Sequence, residues 1–373
     1  MAVQPATTST LSSYLSSGYW VETGASPHRF DTSASNVLSV NLTGLDAAGR
    51  ALARAALDAW EAVADLRFRE VTAGARIAFS DDGGSANTVS SYLSSGETVR
   101  ATVNVPAAWL SSYGSSVGSY GFQTYLHETG HALGLGHSAP YNGSAEFKTS
   151  AKFANDSWQQ TLMSYFDQDE NPYVDATKAY CLTPMAADIL AMQRLYGAAA
   201  GGVTAGNTTY GEGSSLGSYL DAAFRGTAGS LKRNALTIYD AGGVDVINLA
   251  GDTQAQQVNL AAGSFSSVHG LRGNLGIAYG TVIENYLAGS GADRVSGNAS
   301  ANTLVLGAGD DAAWGGAGND RLLGGAGNDT LRGAAGKQRH GEQEGNRQAL
   351  RTHNGGGFWR TEAAACAKRR GQS

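Results

Sequence analysis

Apolar and polar positions change their spacing three times along this chain. Residues 1–35 form a Ser/Thr-rich segment without a sustained period, which predicts loose order at the start. "VLSVNL" at 37–42 then alternates like a strand. "LDAAGRALARAALDAWEAVADL" places Leu52, Ala56, Trp60 and Val63 at helical spacing, with Asp46 as its N-cap. "LRFREV", "RIAFSD" and "ATVNVPAAWL" read as short strands, and the last could pair with an extended peptide. "YGFQTYLHETGHALGL" predicts a buried helix stopped by Gly134 and Gly136, and "TPMAADILAMQRLYG" a second amphipathic helix. Beyond Tyr196 helical spacing ends and short β-type pieces alternate with turns, so a domain boundary is expected there. "SSYLSSG" occurs at both 12–18 and 90–96, which serine bias accounts for without a functional repeat.

Composition sharpens this division. The 373 residues, enough for two domains, include 51 glycines and only 16% charged residues. The net charge of −6 conceals a split: residues 1–336 carry −11, and residues 337–373 carry +5 with no aspartate. An acidic body argues against nucleic-acid binding and suits a chain that collects cations. Two distant cysteines, Cys181 and Cys366, build neither a disulfide framework nor a thiolate metal site. No apolar run is long enough to span a membrane. "MAVQPATTSTLSS" lacks the basic start and apolar stretch of a secretory signal, so export would use another route.

In the second half a period of nine appears. Asp293, Asn302, Asp311, Asp320 and Asp329 keep that step, as do Gly309, Gly318 and Gly327, and the clean copies are "GGAGNDRLL" and "GGAGNDTLR". A flexible linker has no reason to hold leucine in phase. The pattern is that of a parallel β-roll in which glycine carbonyls and aspartates hold Ca²⁺ between turns. The ligands expected are Gly307, Gly309, Asp311, Gly316, Gly318, Asp320, Gly325, Gly327 and Asp329. Asn298 and Leu306 replace glycines in earlier copies, which should bind Ca²⁺ less well.

The densest chemistry is "HETGHALGLGH" at 127–137. Residues four apart share a helix face, so His127 and His131 can offer two imidazoles to one metal, with Glu128 beside it as general base. A turn at Gly134 would return His137 as third ligand, leaving the fourth position open, as in catalytic zinc sites. "TLMSYF" follows, with Met163 and Tyr165.

Together "TYLHETGHALGLGH", "LMSYF", "TPMAADILAMQRLYG", "YDAGGVDVINL", "GLRGNLGIAYGTVIENYLAGSGAD" and the nonapeptides resemble the serralysin family across about residues 40–336. The resemblance implies an α+β metzincin zinc-protease domain (36–196) followed by an all-β parallel β-roll of RTX repeats (197–336). It implies a secreted, extracellular, monomeric zinc endopeptidase acting on proteins or peptides, exported by a type I secretion apparatus. One Zn²⁺ would sit on His127, His131 and His137. Glu128 would be base and proton shuttle. Met163 would form the Met-turn floor, and Tyr165 would ligate zinc at rest and then turn to the oxyanion. Asp240, Gly242, Asp245 and Glu284 would bind structural Ca²⁺ at the junction before the repeats.

The chain departs from the family in two places. Ser138 follows the third histidine where serralysins usually carry proline. After Gly336 the repeat gives way to a basic tail (337–373) without periodicity, which predicts disorder. Two rival functions are a serine hydrolase, using the G-x-S-x-G matches at Ser116 or Ser215, and a calcium-binding RTX surface or adhesion protein with little or no protease activity. Neither serine sits between a strong strand and a helix, as a nucleophile elbow requires.

Overall fold

The computed structural model describes residues 3–225, 230–333, 337–344, 347–354 and 358–360. Two compact units emerge. The first runs to Gly243 and takes in 262–267 and 271–281; the second comprises 244–261, 268–270 and residues from 282 onward.

The first unit contains a five-stranded sheet in the order Arg67–Glu70, Val37–Gly44, Ile77–Ser80, Thr98–Asn104, Asn87–Tyr92. All pairings are parallel except the last, where Asn87–Tyr92 runs antiparallel along the edge. Alternation in Val37–Gly44 buries Leu38, Val40 and Leu42. The helix Ala47–Glu61 begins as expected at Asp46, whose Oδ1 accepts from Gly49 N at 2.7 Å. It packs on the helix Tyr120–Ala132 through Trp60, fully buried, whose indole N–H donates to Leu126 O at 3.1 Å. Truncating such a side chain to Ala costs about 3–5 kcal/mol.

Three expectations change here. Residues near the N-terminus are ordered: Thr8–Ser13, Tyr14–Gly18 and Tyr19–Glu22 are helical, and Leu11 and Leu15 are fully buried. Two leucines one helical turn apart suffice to anchor a serine-rich segment, and Arg194 fixes it further by donating to Ser9, Ser12 and Ser13. The segment "ATVNVPAAWL" is not one strand. Pro106 lacks a ladder donor and suits a helix start, so the strand ends at Asn104 and the helix Ala107–Tyr113 follows. That strand is paired on both sides, so the edge open to a peptide belongs to Asn87–Tyr92.

The compositional boundary at 196/197 also differs from the boundary of compactness at 243/244. Residues 197–243 pack with the first unit. Asn234–Ile238 pairs with Tyr180–Cys181, and Tyr219 OH donates to Leu182 O at 2.7 Å.

In the second unit three-residue strands stack in two parallel sheets. One holds Val246–Asn248, Asn285–Leu287, Thr303–Val305 and Arg321–Leu323; the other holds Gln257–Asn259, Arg294–Ser296, Ala312–Trp314 and Thr330–Arg332. Successive nonapeptides therefore go to alternate sheets. The middle residue of each strand, such as Tyr286, Leu304 and Leu322 or Val295, Ala313 and Leu331, is buried. The backbone of the tail, expected to lack order, adds Lys337–Glu344 in parallel to Arg321–Leu323 and then pairs antiparallel with Arg347–Asn354. An open sheet edge offers unpaired N–H and C=O groups to any following segment, whatever its composition.

Candidate metal centre

The helix Tyr120–Ala132 starts where Ser119 Oγ accepts from Phe122 N, and it carries His127, Glu128 and His131. It ends because Gly134 takes φ +106°, a conformation that side chains resist, with His28 O standing where it would clash with a Cβ. The chain then turns back and delivers His137. One ring nitrogen from each of His127, His131 and His137 lies within 4.8 Å of the others, and no other such group of three occurs among the described residues.

The remaining ring nitrogens explain the orientation. Nδ1 of His127 lies 2.8 Å from Leu162 O, Nδ1 of His131 2.7 Å from Leu135 O, and Nδ1 of His137 2.9 Å from Tyr141 O. A carbonyl only accepts, so each Nδ1 carries the proton and each Nε2 presents a lone pair. Nε2 of His131 and of His137 are 3.0 Å apart. Two lone pairs at that distance repel without a cation between them, and this donor set fits zinc. Burial, then the neighbouring imidazoles, push His131 down to about 3 and His137 well below the usual histidine range, which keeps both rings neutral and ligating.

Glu128 is buried beside the triad. Thr88 Oγ1 lies 2.8 Å from both its carboxylate Oε2 and its main-chain carbonyl. Burial raises the Glu128 pKa, while His127 and the Thr88 hydrogen bond oppose the rise. Met163 is fully buried beneath Gly130, where a Cβ would lie 3.1 Å from its sulfur. Tyr165 packs edge-on against His137 with ring centroids 4.6 Å apart, and its hydroxyl accepts from Gly143 N at 3.3 Å. The cleft opens on both sides of the triad. One cavity, about 380 Å³, is walled by Tyr19, Trp20, His28 and Tyr92; the other, about 680 Å³, by Trp109, Tyr120, Trp158 and Leu162.

Several participants were not read from the sequence. The acceptors on Leu162, Leu135 and Tyr141 are main-chain atoms and carry no side-chain signal. Asp188 is fully buried, accepting from Thr161 Oγ1, Leu162 N and Met185 N, and so secures the carbonyl that holds His127. Its place on the apolar side of "MAADIL" was the available signal. Ser116 and Ser215 stand exposed: Ser116 lies between two helices, and Ser215 lies within the loop from Thr209–Gly211 to Tyr219–Phe224 rather than at a sharp strand-to-helix turn.

The expected calcium ligands divide between the units. In the first, Asp240 accepts from Tyr210 OH at 2.7 Å and from Gly242 N at 2.8 Å. In the second, Glu284 Oε2 accepts from Asp245 N at 2.8 Å. Gly307, Gly309, Gly316, Gly318, Gly325 and Gly327 all take positive φ, as tight turns between strands require. The aspartates form a ladder. Oδ1 of Asp311 accepts from Asp293 N at 2.8 Å, Oδ1 of Asp329 from Asp311 N at 3.0 Å, and Oδ1 of Asp320 from Asn302 N at 3.0 Å. Oδ2 of Asp293 and of Asp311 is buried with no hydrogen-bond partner among the described residues, a donor set that fits Ca²⁺. Burial and nearby carboxylates push Asp311 up to about 7, and chiefly burial pushes Asp293 up to about 6.

Where the expected glycine and aspartate are Asn298 and Asn302, amides fill the place. Asn298 Nδ2 donates to Ile283 O at 2.8 Å and Leu260 O at 3.2 Å; Asn302 Nδ2 donates to Glu284 O at 3.0 Å and Asn298 Oδ1 at 3.1 Å. This turn satisfies its carbonyls from within.

Residues 199–346 match the family model described as Peptidase M10 serralysin C terminal. Serralysin of Photorhabdus luminescens is 38% identical over 265 residues, covering 68% of this chain and 53% of that protein. Serralysin B of Dickeya chrysanthemi is 38% identical over 256 residues, covering 65% and 51%. Metallopeptidase AprA of Pseudomonas marginalis is 34% identical over 275 residues, covering 68% and 55%. The chain thus spans about half the length of the curated relatives it matches. By its histidine site, its nonapeptide stack and these matches, the chain belongs to the serralysin family.

Proposed function

We propose that this protein is a secreted zinc endopeptidase that hydrolyses peptide bonds in proteins. The observation that carries this reading is the set of three imidazoles turned toward one point by three main-chain carbonyls, with Glu128 buried alongside. Zinc bound there would supply Lewis acidity toward a water and a peptide carbonyl. Glu128 takes the proton of the attacking water and returns it to the leaving amine, and its raised pKa suits both transfers. Tyr165, the fourth candidate ligand at rest, leaves Gly143 and donates to the oxygen on which charge develops. Substrate adds as an extended strand to the open edge of Asn87–Tyr92, which lines the cleft through Asn87, Thr88, Ser90 and Tyr92.

The two parallel sheets of the second unit act as a calcium-loaded β-roll, with the repeat glycines and aspartates as ligands and Asp240, Gly242, Asp245 and Glu284 serving earlier sites. Calcium would couple folding to the extracellular space after export by a signal-peptide-independent, type I route. No helix among the described residues is long and apolar enough to cross a membrane. The protein acts as a monomer.

Casein hydrolysis by calcium-refolded full chain tests the reading. Activity should disappear with 1,10-phenanthroline, and Glu128→Ala should lower it about 10²–10⁴-fold at unchanged zinc content. Stoichiometric zinc with intact casein would sink the broad-protease reading.

A further inference from the structure

Behind His137 lies a closed polar chain that has no counterpart in the histidine motif. Ser138, Tyr141 and Asp156 are all buried. Ser138 Oγ donates to Asp156 Oδ1 at 2.6 Å and lies 2.6 Å from Tyr141 OH. Tyr141 OH accepts from Tyr165 N at 3.2 Å and sits 3.3 Å from both Asp156 oxygens. Ser138 donates to the carboxylate, and the Tyr141 hydroxyl, which accepts from Tyr165 N–H, shares its single proton between Ser138 and Asp156. The carbonyl of the same Tyr141 accepts from His137 Nδ1. Proline at 138 could not make the Ser138 link.

We propose that Asp156, acting through Ser138 and Tyr141, is a positioning residue that sets His137 and Tyr165 together for zinc binding and turnover. It touches neither the three imidazoles nor the cleft. Its influence reaches His137 through the carbonyl of Tyr141 and reaches Tyr165 through its amide, so one carboxylate orients a metal ligand and the neighbouring hydroxyl-bearing ring. This rests on the zinc-endopeptidase reading above.

The test uses the full zinc- and calcium-loaded chain with Asp156→Asn, Tyr141→Phe and Ser138→Ala. Zinc release to a colorimetric chelator should accelerate about 10-fold or more in the first two, and less in the third. In the same variants kcat should fall about 10-fold or more, with KM within about twofold. A merely structural role would lower the melting temperature with and without zinc and leave the zinc-release rate unchanged. Folded variants with wild-type zinc release and wild-type kcat would overturn the proposal. If Asp156→Asn fails to fold, Tyr141→Phe decides, since it removes a single oxygen and keeps the carbonyl that holds His137. Wild-type protein without zinc would instead defeat the endopeptidase reading, and this inference with it.

Discussion

The two units hold their candidate ligands in opposite ways. In the first, main-chain carbonyls orient the ligating side chains: Leu162, Leu135 and Tyr141 fix three imidazoles, the two leucines belonging to the main buried core and Tyr141 to a smaller buried cluster with Ala139 and Phe166. In the second, ligating side chains orient the main chain, because each aspartate Oδ1 holds an amide of the preceding turn. Loss of metal should therefore have unlike results. The first unit would keep its scaffold and lose chemistry, whereas the second would keep buried carboxylates with nothing to balance them.

Calcium withdrawal should separate them most widely. With calcium at a thousandfold excess over Kd, binding stabilises by about 4 kcal/mol, so chelation should cut amide protection in residues 285–332 roughly 10³-fold. The helix Tyr120–Ala132 should keep its protection, and equal loss in both would break the contrast. A smaller effect should follow pH. In chelator, Asp311 and Asp293 have folded-state pKa values of about 7 and about 6, above their unfolded values. Their contribution to stability is then present at low pH and lost as pH rises through 6 and 7. Melting of the calcium-free second unit should occur several degrees lower at pH 8 than at pH 5. Saturating calcium should reverse that order, because binding needs the ionised form.

The smallest effect should come from Asn302→Asp. It removes an amide donor to Glu284 O and adds a carboxylate, so in chelator it should destabilise by about 1–2 kcal/mol. Added calcium should recover most of the loss. Equal melting of variant and wild type in chelator would show that the asparagine amides do not substitute for a cation.

Legibility in the sequence follows the range of the interactions. The histidines and Glu128 could be read because a helix and one turn bring them together within eleven residues. The nonapeptides could be read because each strand repeats its neighbour. The roles of Asp156 and Asp188 could not, since Ser138 and Tyr141 lie 18 and 15 residues from the first, Thr161 and Leu162 lie 27 and 26 from the second, and only folding joins them. "SSYLSSG" shows the limit most directly. Its first copy is helical and buries Leu15, while its second ends the edge strand at Tyr92, turns, and leaves Leu93 half exposed. Identical residues take the conformation that their neighbours supply, as the context dependence of weak propensities requires.

The alternation of nonapeptides between two sheets also makes the second unit a counting device. Strands at 285, 303 and 321 share one wall, and those at 294, 312 and 330 the other. Inserting nine residues would send every later strand to the wrong wall and break each carboxylate–amide pair across the junction. Inserting eighteen would add one full turn and restore every pairing beyond it. Lengthening or shortening that preserves the stack is therefore quantised, with one complete circuit as the unit.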